Sequence, residues 1–224
     1  MTTAPAPHIT VAESAEDPEA DIWFAEPTGF TAVPLEALLP SAESPSGGDL
    51  NSVLEPLLLA APDELARQQF IARLAQGRQL LGALGEAGVV HCSIGLHRDD
   101  VEGAGAGGGG LLLSFLTLSW STTAASPRAV TAARAVSDLD SQTGVEYAEL
   151  PCGPATFSET LRTPRAGYGL PELPLLQFYA HLPHPDCRRL AVFTLSTTAV
   201  ARQREYRVLL RQIAGSACFV SPLE

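Results

Sequence analysis

Two strands and the turn between them are encoded by residues 173–196, which read LPLLQFYAHLPHPDCRRLAVFTLS. The apolar segments 173–182 and 189–196 each have the length of a strand, and prolines separate them where a turn is needed. Strands joined by so short a turn pair antiparallel. Residues 199–214 follow directly, and their apolar stripe predicts an amphipathic helix. This stretch therefore predicts an antiparallel sheet that is covered by helices.

The same succession of apolar segments and turn residues extends through the preceding part of the chain. It predicts strands and helices at the following ranges: strands 89–97, 111–120, 144–150 and 155–162, and helices 62–84 and 126–139. Farther upstream, 22–24 and 30–33 predict a short aromatic hairpin, because Pro27 and Gly29 favour a turn between them. These elements together predict an α+β fold built on one antiparallel sheet.

The distribution of residue types predicts one domain with a polar N-terminal arm. Residues 1–20 contain several prolines and acidic side chains and little apolar matter, so we expect a disordered arm. Residues 21–224 are expected to form a single α+β domain. Within it, residues 101–110 are mostly Gly and Ala, which predicts a flexible loop between two strands.

The chain is acidic, since its 224 residues carry a formal net charge of −11 with 14 Arg and no Lys. This charge disfavours binding to nucleic acid or to an anionic membrane surface. No segment reaches the roughly 20 apolar residues of a membrane-spanning helix, and residues 1–21 lack the pattern of a secretory signal. We therefore expect a cytoplasmic protein without a membrane span. The residue usage is typical of a GC-rich genome, such as that of an actinobacterium.

Motifs of the common enzyme classes are missing from the sequence. It contains no Gly-x-Ser-x-Gly elbow, no His-Glu-x-x-His and no Walker or dinucleotide-binding pattern. We therefore expect a protein that is not an enzyme and needs no cofactor. The alternative is a small-ligand-binding protein or enzyme with a pocket near His91, His97 and Asp99, where imidazole and carboxylate groups could form an acid–base pair. His91 and His97 are an even number of residues apart, so we expect them on one face of a strand.

A second local cluster has the pattern His181-x-x-His184-x-x-Cys187. Imidazole and thiolate groups at such spacing can converge on zinc. Prolines between them indicate a turn, however, and three donors make an incomplete structural site. A hairpin turn with incidental histidines is favoured, while the pattern alone leaves metal binding open. Four widely spaced cysteines are expected to be free thiols: Cys92, Cys152, Cys187 and Cys218.

Three features are candidates for contact with another protein. The first is an aromatic group that forms either an exposed patch or part of the core. Its members are Trp23, Phe24 and Phe30. The second is a row on the polar side of the last helix, which either binds an anionic partner or is simply solvated. Its members are Arg204, Arg207 and Arg211. The third candidate is a sheet edge.

The segments FAEPTGFTAVP at 24–34 and LAVFTLSTT at 190–198, the latter leading into the last helix, resemble the Mog1/PsbP-like superfamily over roughly 21–219. The resemblance implies an α/β/α sandwich with a central antiparallel sheet of about six strands, and a role in binding or assembly instead of catalysis. Some actinobacterial members are associated with type VII secretion, although this chain lacks the lipid-attachment cysteine of the lipoproteins among them. We therefore expect a non-catalytic protein-interaction or assembly factor, with service to a secretion system as one expectation.

Overall fold

The structure is a computed structural model that describes residues 10–11, 21–33, 64, 68, 88–98, 111–137, 142–162 and 174–220. Apart from the helical positions Glu64 and Gln68, these residues form nine strands, two α-helices and one 3-10 helix. Their bounds, in chain order, are β1 Thr10–Val11, β2 Ala25–Glu26, β3 Phe30–Ala32, β4 Val89–Arg98, β5 Leu111–Thr122, α1 Arg128–Ser137, β6 Thr143–Leu150, β7 Gly153–Arg162, β8 Leu175–Pro183, β9 Arg189–Thr197, the 3-10 helix Val200–Arg202 and α2 Gln203–Gly215.

Seven of these strands form one sheet in the order β3-β4-β5-β9-β8-β7-β6, and every neighbouring pair is antiparallel. The prediction of an antiparallel α+β fold is confirmed, but the sheet has seven strands instead of about six. After β5 the chain crosses to the far edge and returns through β6, β7 and β8. As a result, β9 lies at the centre of the sheet and β6 lies at one edge.

The predicted aromatic hairpin of 22–24 and 30–33 is wrong. Strand β2 pairs with β1, whereas β3 pairs with β4 and becomes the seventh strand of the large sheet. The backbone next to β2 pairs with a segment that is distant in sequence. Trp23 and Cys218 form two backbone hydrogen bonds with each other, each of 2.8 Å. Gly29, with a φ of 91°, then turns the chain toward the edge of β4.

The two α-helices cover opposite faces of the sheet. Successive residues of a strand point to opposite faces, and Thr156 and Phe157 are successive in β7. Thr156 donates a hydrogen bond to the Ala132 carbonyl of α1 (2.8 Å), whereas Arg211 of α2 lies 4.9 Å over the Phe157 ring. The described residues therefore form helix, sheet and helix layers, with an α1 face and an α2 face.

The main core lies between the sheet and α2. Apolar side chains at alternate positions of β5, β8 and β9 pack against the apolar stripe that the sequence predicts for α2. Within this stripe Tyr206, Leu210 and Ile213 are buried and Leu209 is partly buried. Removing one such large side chain from water contributes about 1.5–3 kcal/mol. The largest fully buried members of the strands are Leu116, Leu118, Leu176, Phe178, Leu182, Phe193 and Leu195.

Several predictions fall on residues that the structure does not describe. Of the predicted helix 62–84, Glu64 and Gln68 are described, and both are helical and exposed. Outside the described residues lie the remainder of that helix, the loop 101–110, Asp99 and the arm 1–20 apart from the two residues of β1.

Candidate functional site

The predicted aromatic patch is mostly built into the fold. Phe24 is 5% exposed, and its ring meets the Phe193 and His91 rings edge-on, at centroid distances of 5.0 and 5.2 Å. Phe30 is partly buried against the core, and Trp23 is partly buried beside its backbone bridge. Phe24 therefore belongs to the core and Phe30 packs against it, which was the alternative interpretation of the pattern.

The predicted arginine row divides into two kinds of residue. Arg207 donates to both carboxylate oxygens of Glu159, at 2.8 and 2.9 Å from its Nη2. Arg211 pairs with Glu146, while Arg204 is exposed on the same helix. Arg207 and Arg211 therefore attach α2 to strands β7 and β6.

His91 forms a buried pair with Glu26. Their Nε2 and Oε1 atoms are 2.7 Å apart, and the residues are 6% and 4% exposed. They are 65 residues apart in sequence, so no local pattern indicates the pair. Burial, followed by the nearby Glu26 charge, raises the pKa of the adjacent Cys92 thiol to about 12. This thiol is therefore neutral and unreactive at ordinary pH.

His97 shares the sheet face of His91, as its spacing predicts, but contacts different groups. Its ring packs against Phe30 and Tyr206, at centroid distances of 5.3 and 6.4 Å, and burial lowers its pKa. The side chains of His97 and Phe30 pack directly over the backbone of Gly95. A Cβ atom at Gly95 would lie 2.8 Å from both the His97 Nε2 and the Phe30 ring, which leaves no room for a side chain there. The structure does not bring His91 and His97 to a common partner.

The residues of the possible zinc pattern form the end of β8 and the turn into β9. His181 is buried on the α1 face, and this burial lowers its pKa to about 4. His184 packs instead against Trp120 and Phe219, at 5.7 and 5.0 Å. Cys187 has a φ of 60° and donates its backbone N–H to the His184 carbonyl, as in a tight turn. The described part of the chain holds no group of three or more potential metal ligands.

A cationic and aromatic cluster closes one end of the sheet. Arg189 lies 5.1 Å over the Trp120 ring, is 2.6 Å from Asp186 and also pairs with Asp21. Arg128 lies 5.6 Å over the Phe219 ring. It also donates hydrogen bonds to the backbone carbonyls of Cys152 (2.6 Å) and Pro183 (2.8 Å). Because both guanidinium groups have partners within the chain, this cluster joins segments of the fold.

Strand β6 is the edge of the sheet with the most exposed side chains. As described, it pairs on one side, with β7. Val145 is 53% exposed and Tyr147 is 48% exposed. Glu149 is also exposed, and the regular alternation from Glu146 onward places Tyr147 and Glu149 on the α1 face. The edge therefore presents the apolar side chains of Val145 and Tyr147 next to the carboxylate of Glu149.

The backbone of β6 directs hydrogen-bonding groups away from the sheet. Pro154 has no N–H, so its pairing with Glu149 must be a non-hydrogen-bonded pair of the antiparallel ladder. The two kinds of pair alternate, so Ala148 bonds to β7 and Tyr147 does not. Tyr147 and Glu149 therefore each point one N–H and one C=O outward.

Charge and backbone geometry restrict what can pair with this edge. The strand carries two carboxylates and no cation: Glu146 pairs with Arg211, and Glu149 accepts a hydrogen bond from the Tyr147 hydroxyl. That hydrogen bond raises the pKa of Tyr147. Gly144, with a φ of 60°, lies within a register shift, so the regular ladder begins at Glu146. Acidic side chains and bulges protect sheet edges from indiscriminate pairing.

The sequence predicts the strand at 144–150 but not its position at an edge. Apolar and polar residues are mixed over 145–150, and nothing in this local pattern separates an edge strand from an interior one. Edge position depends on the order of all the strands, so the residues Val145, Tyr147 and Glu149 are identified by the structure alone.

Comparison with known proteins does not assign this chain to a family. No family model matches it, and neither a curated protein nor a solved structure matches. The resemblance to the Mog1/PsbP-like superfamily therefore stays a prediction. In the described ranges, no helix has the length and hydrophobicity required to cross a membrane.

Proposed function

We propose that this protein is a non-catalytic interaction or assembly factor that binds another protein by adding an extended segment of it to strand β6. The observation that carries the proposal is the outward direction of the Tyr147 and Glu149 backbone groups on an exposed strand. An extended partner satisfies these groups with backbone hydrogen bonds of its own, which is how sheet edges bind peptides.

The side chains beside the edge support the same mode of binding. A backbone hydrogen bond to a partner replaces a hydrogen bond to water, so its net contribution to the free energy of binding is modest. Val145 and Tyr147 add apolar area that a partner strand would cover, at about 25 cal/mol for each Å² removed from water. Affinity would therefore come from these two side chains, and the backbone groups would set the alignment.

The placement of the titratable side chains also favours binding over catalysis. His91 contacts Glu26, His97 packs between aromatic rings, and His184 lies 3.0 Å from Asp186. A general acid or base acts within hydrogen-bonding reach of its substrate. These groups instead serve separate contacts of the fold. A cytoplasmic location and service to a secretion system stay predictions.

The substitution Tyr147→Pro tests the proposal. Because the Tyr147 N–H does not bond to β7, proline removes an outward donor together with the tyrosine ring and keeps the hydrogen bonds between β6 and β7. The tagged protein, its Tyr147→Pro variant and a control are used to capture proteins from lysate of the cells that make it. The control is Arg188→Ala, which removes an exposed arginine from the turn before β9. We expect a partner that wild type and the control retain in near-equal amount and that Tyr147→Pro loses.

Two further measurements keep the test decisive. Circular dichroism and a melting curve establish that the variant is folded, and Glu149→Pro removes the second outward N–H if Tyr147→Pro is not. A partner that binds both proline variants as well as wild type would contradict the proposal. Copurification of a metabolite or metal in near-equal amount, with no protein partner, would also contradict it.

A further inference from the structure

We infer that the segment accepted by β6 is basic, with an apolar side chain beside Tyr147 and a Lys or Arg side chain beside Glu149. This inference rests on the proposed function, since it specifies the chemistry of the partner at the same edge. It follows from the side-chain arrangement and the charges along one strand.

The side chains of Tyr147 and Glu149 lie two residues apart on one face of β6, and the Tyr147 hydroxyl donates to the Glu149 carboxylate. In a neighbouring strand, the directly opposite residues stand about 4.5–5.5 Å away on the same face. Two partner residues, also two positions apart, must therefore lie against this pair whichever direction the partner runs. The exposed Tyr147 ring favours an apolar residue at the position opposite it.

The charge of Glu149 specifies the other partner residue. On the opposite face, the Glu146 carboxylate is already balanced by Arg211. Among the described residues, the contact of Glu149 is a neutral hydroxyl, and no arginine forms an ion pair with it. A cation beside Glu149 would complete a cross-strand ion pair, whereas an acidic residue there would meet like charge.

The whole chain reinforces this preference at longer range. Its net charge of −11 attracts a basic segment and repels an acidic one, including a second copy of the chain. The remaining residues on the opposite face of the regular ladder, Ala148 and Leu150, are partly buried and uncharged. They impose no charge on the partner, so the basic requirement is confined to one position.

Selection from a phage-displayed library of short random peptides tests the inference. The full chain is the bait, and its Tyr147→Pro variant removes peptides that bind elsewhere. We expect enriched peptides to carry Lys or Arg two residues from an apolar side chain. Glu149→Gln should weaken these peptides about 1.5-fold to fivefold, the usual range for an exposed ion pair.

A charge-reversed pair of variants separates local from overall charge. Glu149→Arg should change the enriched residue at this position from basic to acidic. Glu205→Arg changes the net charge equally but lies on α2 with its side chain 60% exposed, so it should leave the preference basic. Equal effects of the two reversals would overturn the inference, because attraction would then come from net charge alone.

The outcomes distinguish the inference from the proposed function. Peptides that Tyr147→Pro loses but that lack the basic residue would overturn the inference and leave the proposed function standing. No enrichment over the Tyr147→Pro variant would contradict both. A dimer on size-exclusion chromatography that Tyr147→Pro dissociates would make a second copy the occupant and would also overturn the inference.

Discussion

At the scale of single residues, buried imidazole groups contribute to both packing and pH dependence. His181 is 5% exposed and stacks on Tyr179 at 6.1 Å, on the sheet face that carries α1. Burial lowers its pKa from 6.5 to about 4, because a charged ring would lose its hydration there. The folded protein therefore favours the neutral form of His181.

This pKa shift predicts a loss of stability at acidic pH. Between about pH 6.5 and pH 4 the unfolded chain binds a proton at His181 and the folded chain does not, so the contribution of this residue is complete above pH 6.5 and falls as the pH drops. The full effect is on the order of 3 kcal/mol. His181→Phe should flatten the free energy of unfolding over this range, measured by urea denaturation at several pH values. Tyr179→Phe keeps the imidazole and should keep the slope; equal slopes in all three proteins would show the prediction to be wrong.

The sequence predicts some residue-level features and misses others. The even spacing of His91 and His97 places them on one sheet face, because strands alternate with a period of two. The partner of His91 could not be predicted. Glu26 is 65 residues away and becomes a neighbour after the chain has folded around the sheet.

At the scale of elements, one carboxylate fastens α2 to the sheet. Glu159 of β7 is 7% exposed, and it accepts hydrogen bonds from Arg207 and from Gln203 at 2.7 Å. A buried carboxylate that loses its cation keeps the cost of desolvation. The contact therefore stabilises the helix position more than an exposed ion pair would.

Arg207→Ala is expected to lower the free energy of unfolding by about 2 kcal/mol, less than for a fully buried pair because the arginine side chain is 45% exposed. Arg204→Ala removes an exposed arginine from the same helix and should change stability by less than about 0.5 kcal/mol. Urea denaturation of both variants compares them directly. Equal losses of unfolding free energy in the two variants would mean that the contact with Glu159 contributes nothing beyond the presence of a positive charge on α2.

Element positions were more predictable than element partners. The predicted strand at 189–196 is observed as β9 at Arg189–Thr197, since its run of apolar residues ends at turns on both sides. The hairpin of 22–24 and 30–33 failed, although each segment has strand-like residues. Short strands form few hydrogen bonds of their own, so more distant partners decided their pairing.

At the scale of the whole molecule, one arginine links distant parts of the chain. Arg189 pairs with Asp186 in the turn before β9 and with Asp21 ahead of β2, and it also covers Trp120 of β5. Trp23, which forms the backbone bridge with Cys218, follows Asp21 by two residues in the sequence. Arg189 therefore helps to hold the segment before β2 against the sheet.

Arg189→Ala is expected to lower the melting temperature by about 3 °C, corresponding to about 1 kcal/mol for a chain of this size. Amide hydrogen exchange at Trp23 and Cys218 should become faster, because their mutual hydrogen bonds would lose support. Arg188→Ala removes the adjacent exposed arginine and serves as the control. Unchanged exchange at both amides in Arg189→Ala would refute this role.

The sequence by itself determined the α+β class, the antiparallel pairing of β8 with β9 across their short turn and the amphipathic last helix, because periodicity and turn residues act over a few positions. The tertiary structure alone decided that β9 lies in the centre, that β6 lies at an edge and that Arg207 meets Glu159. These outcomes depend on which apolar faces and strand edges are covered by segments far apart in the chain. That competition is settled by the free energy of the whole fold, so no local stretch of sequence records it.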